Sequence, residues 1–321
     1  MTGVQPSRSA DPSREGFLAL PGEVRDWRTV VLTDAALATG LLAALPASAA
    51  EAASRLGLSD HAVRIVLDAL REFGVVERNG ERYHLGPAAP DDAAAATVQH
   101  HARVLRSWSS ALPDRLAGTQ RSAGGDERTA AERARWLQAL AVTARHRAPE
   151  VADHCLQRFA DTRRVLDLAG GHGEYGLEFA RRGLDVTLQD LPEVIEIVST
   201  WGSLRNTSVT LVPGDAFEGL ASGPFDLVLA AGFTHTLRPD ANAELFKKLD
   251  AVTAPNGGVA VVTFLRGRRP IAPLFAVQML VAGGGDTHGL DDYQRWLTAA
   301  GFDAPEVVDL EYGTSLLTAA R

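Results

Sequence analysis

Residues 165–190, VLDLAGGHGEYGLEFARRGLDVTLQD, decide how this chain folds. An apolar run over 164–168 meets a cluster of glycines, a helix-length segment follows, and a second apolar run closes on Asp190. Strand, glycine turn, helix and strand in this order build a parallel α/β unit. Gly171, Gly173 and Gly176 spell G-x-G-x-x-G, and Asp190 stands 19 residues after Gly171, which is the outline of a dinucleotide site. Asp167 contradicts that outline. It ends the first strand, where a pyrophosphate would lie, and two like charges a few ångströms apart repel by several kcal/mol at low effective dielectric. No Lys or Arg stands between 165 and 180 to compensate. A ligand carrying positive groups reverses the sign.

The pattern continues outward from this unit. Further strands are expected at 208–212, 225–230 and 258–264, and two last apolar runs, 306–311 and 314–319, are split by Gly313. These last two are too close for a crossover helix and should pair antiparallel. Doubly wound sheets hold their ligand at the carboxyl ends of the strands. Acids fall there three times: Asp167 after the first strand, Asp190 after the second, and Asp215 in PGDAF after the third. S-adenosyl-L-methionine matches these demands, with an ammonium, a sulfonium and no phosphate. Glycines let the backbone approach its methionine part, Asp190 suits ribose hydroxyls, Asp215 can accept from an adenine amino group, and Phe217 offers that ring an apolar face.

The N-terminal part carries a different pattern. Residues 16–45 contain an apolar helical stretch, and residues 1–15 read as a disordered tail. Ser48 and Glu51 form a capping box, Gly57 breaks that helix, and Ser59 caps the next, with Val63, Val66, Leu67 and Leu70 on one face. Asn79-Gly80 then signals a two-residue hairpin between 75–77 and 82–85. Helix, turn, helix and hairpin make a winged helix over 16–90. DNA binding is the obvious role, but the second helix sets His61, Arg64 and Arg71 against Asp60, Asp68 and Glu72, so a dimerisation module is the preferred reading. Residues 87–96 read as a linker and 97–155 as further helix, interrupted by a polar loop at 118–128. The expected domains are 16–90, a helical segment 91–155 and an α/β domain 156–321.

Bulk composition fits this plan. Of 321 residues, 45% are hydrophobic and 22% charged, enough to bury a sizeable core. The net charge of −8 counts against a sequence-independent grip on nucleic acid. Cys155 is the only cysteine, so no disulfide framework exists; it reads as a buried structural thiol, and a reducing cytoplasm is expected. No apolar run reaches the length a bilayer requires, and no secretory signal is visible.

Several segments carry a resemblance. VLDLAGGHG is similar to the first motif of the small-molecule O-methyltransferases with a winged-helix N-terminal domain, with Ala169 where glycine is usual. LQDLPEVIE resembles that family's ribose segment, VPGDAFEGL its adenine segment, PNGGVAVVTF its turn into the fifth strand, and LTAAGF its last helix end. The resemblance runs from about residue 16 to the end. It implies a Rossmann-like, seven-stranded class I methyltransferase domain, S-adenosyl-L-methionine as cofactor, and an intertwined homodimer. The cofactor residues it points to are Asp167, Gly170, Gly171, Gly173, Asp190, Leu191, Asp215, Ala216 and Phe217.

His235 in GFTHTL matches the position of the family's base; imidazole titrates near neutrality, although a helix-capping role is the alternative. The family's Asp-Trp after this His is Thr236-Leu237 here, and Phe264 stands where a Glu is common. Asp286 in GGGDTHG is the candidate acid to orient His235, with Thr287 and His288 as the other options. Met279 matches a substrate-packing Met, and Trp108 and Trp136 either line the pocket or pack the core. The expected activity is methyl transfer to a hydroxyl of an aromatic or polyketide-like small molecule in secondary metabolism. Carbon or nitrogen methylation on the same scaffold, a cofactor-binding enzyme that does not methylate, and a ligand-sensing regulator are the alternatives.

Overall fold

The computed structural model describes residues 27–117, 128–205, 207–269 and 271–321. The expected tail over 1–15, the start of the helical stretch and most of the loop at 118–128 lie outside the described residues. The chain divides into two compact units, 23–107 and 108–321.

The first unit holds helices α1 (Trp27–Ala38), α2 (Ala49–Leu56) and α3 (Asp60–Glu72), then strands β1 (Val76–Asn79) and β2 (Arg82–Leu85). Both halves of the Ser48–Glu51 capping box form, at 3.2 and 2.9 Å, and Gly57 ends α2 in the left-handed region. Val63, Leu67 and Leu70 turn one face of α3 into a core shared with Leu41, Val76 and Tyr83. The hairpin forms one residue later than the sequence suggests. Asn79 pairs with Arg82, so the loop residues are Gly80 and Glu81. Gly80 takes φ +59, a conformation it adopts without the Cβ penalty that Asn79 would meet. On α3, Arg64 lies 3.7 Å from Asp68 and Arg71 lies 3.0 Å from Glu72, so these two cations face acids of their own helix.

Helix α4 (Asp92–Leu116) begins inside the expected linker. Asp91 accepts the Ala94 N–H at 2.8 Å, and the alanines after it are the strongest helix formers, so the linker is shorter than 87–96. The division between the two compact units falls at Ser107/Trp108, within this helix.

In the second unit, α5 (Ala130–Arg158) opens on a capping box between Thr129 and Glu132. The sheet follows: β3 (Arg164–Leu168), α6 (Glu174–Arg181), β4 (Asp185–Asp190), α7 (Pro192–Val198), α8 (Gly202–Arg205), β5 (Thr210–Pro213), β6 (Phe225–Ala231), α9 (Pro239–Val252), β7 (Thr253–Thr263), α10 (Ala272–Ala282), α11 (Leu290–Ala299), β8 (Glu306–Asp309) and β9 (Ser315–Ala320). Seven strands lie in the order β5-β4-β3-β6-β7-β9-β8. All neighbouring pairs up to β7 are parallel, and β9 runs antiparallel to both β7 and β8, as the closing apolar runs require.

Strand periodicity sorts the core into two layers. Leu166, Leu168, Val228, Val259 and Leu317 point to one face, against Leu245, Phe246, Leu249 and Trp296 of α9 and α11. Val165, Leu227, Leu229, Ala260 and Leu316 point to the other, against Ala144, Val151 and Cys155 of α5 and Phe179 of α6. Asp167 falls on this second face, beneath α6. Burial pushes the Cys155 thiol up to about 12, as for an unreactive structural cysteine. The strand order reverses between β3 and β6, which opens the ligand crevice of a doubly wound sheet at the end of β3.

Candidate active site

The glycine turn is built on two carboxylates. Asp167 is fully buried, and its Oδ2 accepts the Gly176 N–H at 2.9 Å. A Cβ at Gly170 would lie 2.8 Å from the Asp167 carboxyl carbon, and one at Gly176 would lie 2.9 Å from Oδ2. The turn and the start of α6 therefore close over Asp167 only because both residues lack a side chain. Oδ1 of Asp167 is buried with no hydrogen-bond partner among the described residues. Burial pushes this carboxyl up to about 7, and the Asp190 charge adds to the shift against the pull of the Gly176 N–H.

Asp190, at the end of β4, secures the turn from the other side. Its Oδ2 accepts the Gly171 N–H at 2.8 Å and its Oδ1 the Leu191 N–H at 2.7 Å. Burial raises its pKa, and these two donors oppose that rise. Gly171 and Gly173 take φ +52 and +75. Ala169 takes φ +52, so the position where the sequence departs from glycine is one whose backbone conformation favours glycine.

Asp215 follows β5 and accepts the Phe217 N–H at 2.8 Å, and Gly214 N–H donates to the Asp190 carbonyl at 2.9 Å, so the second and third acids are neighbours. Two residues that the sequence did not single out hold this segment. The Gln189 side chain is stapled to Ala221 and Gly219 at 2.8 and 2.7 Å. Lys248 donates to the Phe217 carbonyl and lies 5.5 Å from its ring centroid. Ala216 is buried and Leu191 exposed. A carboxylate offers about four lone-pair sites, so Asp190 and Asp215 keep acceptor capacity beyond their backbone bonds.

Past the next strand, β6, His235 sits in a 3-10 turn, Thr234–Thr236. Its ring meets Phe275 edge-on at 4.7 Å and lies 6.1 Å from Phe264. Burial, then the charges of His288 and Arg147, hold its pKa down to about 3, so the imidazole is neutral at physiological pH. Nδ1 lies 3.5 Å from Thr263 Oγ1; Tyr293 donates to that hydroxyl at 3.3 Å and lies 2.8 Å from Thr234 Oγ1.

The expectation that Asp286 orients this ring is corrected here. Its carboxylate turns onto Arg266 and the Thr287 N–H, and only its main chain reaches His235, donating to the carbonyl at 3.1 Å. A Cβ on Gly285 would lie 2.4 Å from that carbonyl, so the glycine run docks against backbone rather than against the ring. Thr287 donates to the Ala272 carbonyl at 3.3 Å, and His288 contacts Leu237 O and Asn242, each at 3.0 Å. Neither supplies an acid. Met279 is half-buried one turn beyond Phe275 on α10, and Trp108 donates to Gln278 of the same helix at 2.5 Å. Trp136 instead packs with Leu137, Leu177 and Val198.

An open α/β sheet with acids at three consecutive strand ends, a phosphate-averse glycine turn and a histidine past the fourth strand defines a class I methyltransferase site. The residues fit a cationic nucleoside: Asp167 Oδ1 is a buried acceptor with no partner among the described residues, and the acids of three strand ends converge around it. The O-methyltransferase domain family matches residues 122–303, and the chain belongs to that family, whose cofactor, S-adenosyl-L-methionine, or its demethylated product is bound in solved structures similar to this chain. It is 33% identical to a 3-amino-4-hydroxybenzoate 4-O-methyltransferase from Streptomyces cremeus, over 53% of this chain and 47% of the relative. It is 28% identical to a 3-hydroxy-5-methyl-1-naphthoate 3-O-methyltransferase from Streptomyces sahachiroi, over 86% of each. The alignment with the first thus spans about half of that relative's length. Among solved structures, PigF with S-adenosylhomocysteine superposes with a TM-score of 0.76 at 21% identity, covering 92% of this chain and 96% of the other.

Proposed function

We propose that this protein transfers a methyl group from S-adenosyl-L-methionine to a hydroxyl on an aromatic small molecule of secondary metabolism. The acceptor type follows the names of the two curated relatives. The observation that carries the reading is the buried, half-satisfied Asp167 below a turn that carries no cation. Asp167 is assigned to the ammonium, Asp190 with Leu191 to the ribose, and Asp215, Ala216 and Phe217 to the adenine. Bound there, the cofactor supplies a methyl already activated by its sulfonium. The chain's task is alignment and proton removal.

His235 is assigned to the proton. It is neutral, as an acceptor must be, and it stands at the end of the strand next to β3. Phe264 and Phe275 keep water from its ring, and Met279 and Trp108 are assigned to the acceptor's apolar body. His235→Ala should lower kcat by about 10²–10⁴ if it takes the proton. A loss of only a few fold would leave alignment as its whole contribution. The same scaffold could present carbon or nitrogen as the acceptor atom, which mass spectrometry of the product would distinguish.

A second reading is favoured by one observation: among the described residues the polar contact of the His235 ring is the Thr263 hydroxyl, at 3.5 Å, and no carboxylate contacts it. In that reading the protein binds the cofactor without spending it. Stoichiometric release of S-adenosylhomocysteine with product supports methyl transfer; turnover without it supports the alternative.

We also propose a cytoplasmic homodimer formed through the N-terminal unit. Trp27 and Val31 on one face of α1, with Ile65, Leu85 and Leu105, are exposed apolar side chains that a partner copy would cover. Light scattering on the eluting peak should give twice the chain mass.

A further inference from the structure

We propose that Arg147 binds a carboxylate of the acceptor, so that the substrate is a hydroxyarene carrying an acid group. This rests on the methyl-transfer reading and narrows its substrate class.

Arg147 lies on α5 and reaches the carboxyl end of the sheet. Its Nη1 donates to Thr314 Oγ1 at 3.0 Å and its Nη2 to Thr143 Oγ1 at 3.4 Å. The Tyr312 ring centroid is 5.9 Å from its guanidinium carbon, and its charge opposes the rise that burial imposes on the Tyr175 phenol. Nε is buried with no hydrogen-bond partner among the described residues. Among the described residues no carboxylate pairs with it. Other arginines of this unit behave differently: Arg145 pairs with Glu174 at 2.7 Å, Arg182 with Asp153 at 2.6 Å and Arg268 with Asp309 at 2.6 Å. A part-buried guanidinium whose polar partners among the described residues are hydroxyls has donors to spare and an unneutralised charge, and a planar carboxylate answers both.

Its position links the two halves of the site. Tyr175 opens α6 just after the glycine turn. Thr314 immediately precedes Ser315, which pairs with Thr263, and Thr263 contacts the His235 ring. After burial, the Arg147 charge is among the causes that lower both the His172 and the His235 imidazoles. Tyr312 is held at φ +57, a costly conformation for a non-glycine residue, and such strain is concentrated where geometry matters. A carboxylate here would come from the acceptor or from the methionine end of the cofactor. The contacts with Thr314 and Tyr312, on the β9 side of His235, favour the acceptor.

The test compares binding to protein saturated with S-adenosylhomocysteine, by calorimetry, for 4-hydroxybenzoate, 3-hydroxy-2-naphthoate and their amides. The acids should bind at least tenfold tighter than the amides. Arg147→Met should collapse that preference while S-adenosylhomocysteine affinity stays within twofold, and Arg147→Lys should keep part of the preference. Acids that bind no better than amides overturn the proposal, as does an Arg147→Met variant that loses cofactor affinity while keeping its preference for acids. Methylation of neutral phenols but not of acids would sink this inference and leave methyl transfer standing. Absence of methylation from both would sink that reading too.

Discussion

Replacing Asp167 with Asn separates the two things this residue does. Asn can still accept the Gly176 N–H, now at 2.9 Å from Oδ2, through its amide oxygen, so the turn keeps its anchor. What disappears is the buried charge. In the free protein that charge is a burden, because burial moves the carboxyl from 3.8 to about 7. At 1.36 kcal/mol per pKa unit, the folded state is handicapped by up to ~4 kcal/mol once the group ionises. The unfolded carboxyl ionises near pH 4 and the folded one near pH 7, so this handicap is absent below about pH 4 and complete above about pH 7. Asp167→Asn should therefore raise the melting temperature of the ligand-free protein at pH 8, by roughly 2–4 °C per kcal/mol recovered, and change it little at pH 4.

The cofactor should respond in the opposite direction. Losing a charged hydrogen bond to the ammonium costs ~1.5–3 kcal/mol, or roughly 10- to 150-fold in Kd. Wild-type affinity for S-adenosylhomocysteine should also weaken as pH falls below about 7, by up to tenfold per pH unit, while the Asn variant shows no such limb. Calorimetry between pH 5.5 and 8.5, beside thermal melts of both proteins, reads all of this. A variant that binds S-adenosylhomocysteine within twofold of wild type, with the same pH profile, refutes the reasoning.

Three further outcomes are expected. Ala169→Gly should stabilise the protein by ~0.5–1 kcal/mol, because removing a left-handed alanine outweighs the entropy cost of glycine; a lower melting temperature would contradict the strain at φ +52. Thr263→Val should lower kcat about three- to tenfold and cost ~1 kcal/mol of stability, since it removes the hydroxyl between His235 and Tyr293; unchanged kcat would show that the contact does not orient the ring. The rate should show no acid limb from His235 near pH 6.5, because its folded pKa is held to about 3; stability should instead fall as pH drops from about 6.5 toward 3, where the unfolded histidine takes up the proton, and a rate limb near 6.5 that vanishes in His235→Ala would contradict this.

The parallel strands were legible because their central runs are apolar on both faces and end in glycine, proline or acid. Knowing where those runs end also located Asp167, Asp190 and Asp215, since fold topology alone puts strand ends at the ligand. Asn79-Gly80 is a strong turn signal, yet only Gly80 takes the left-handed conformation, and the loop sits one residue later, on Gly80 and Glu81. The alanine run 93–96 suits linker and helix equally, and the Asp91 cap decided it. Sequence locates the segment of Asp286 but not the direction of its carboxylate, which Arg266 captures. Arg147 and the Thr263–Tyr293 pair were invisible for a related reason. Their partners lie far away in the chain, and an arginine beside the apolar stripe Ala144, Ala148 and Val151 resembles any helix-edge cation until its missing acid is seen.

An acid-lined glycine turn selects a positively charged nucleoside over a phosphate-bearing one. Parallel calorimetric titrations with S-adenosyl-L-methionine, S-adenosylhomocysteine and NAD test it directly. The two sulfur nucleosides should bind at micromolar concentration or tighter and NAD should give no measurable heat; tight binding of NAD with silence from both sulfur nucleosides would overturn that selectivity.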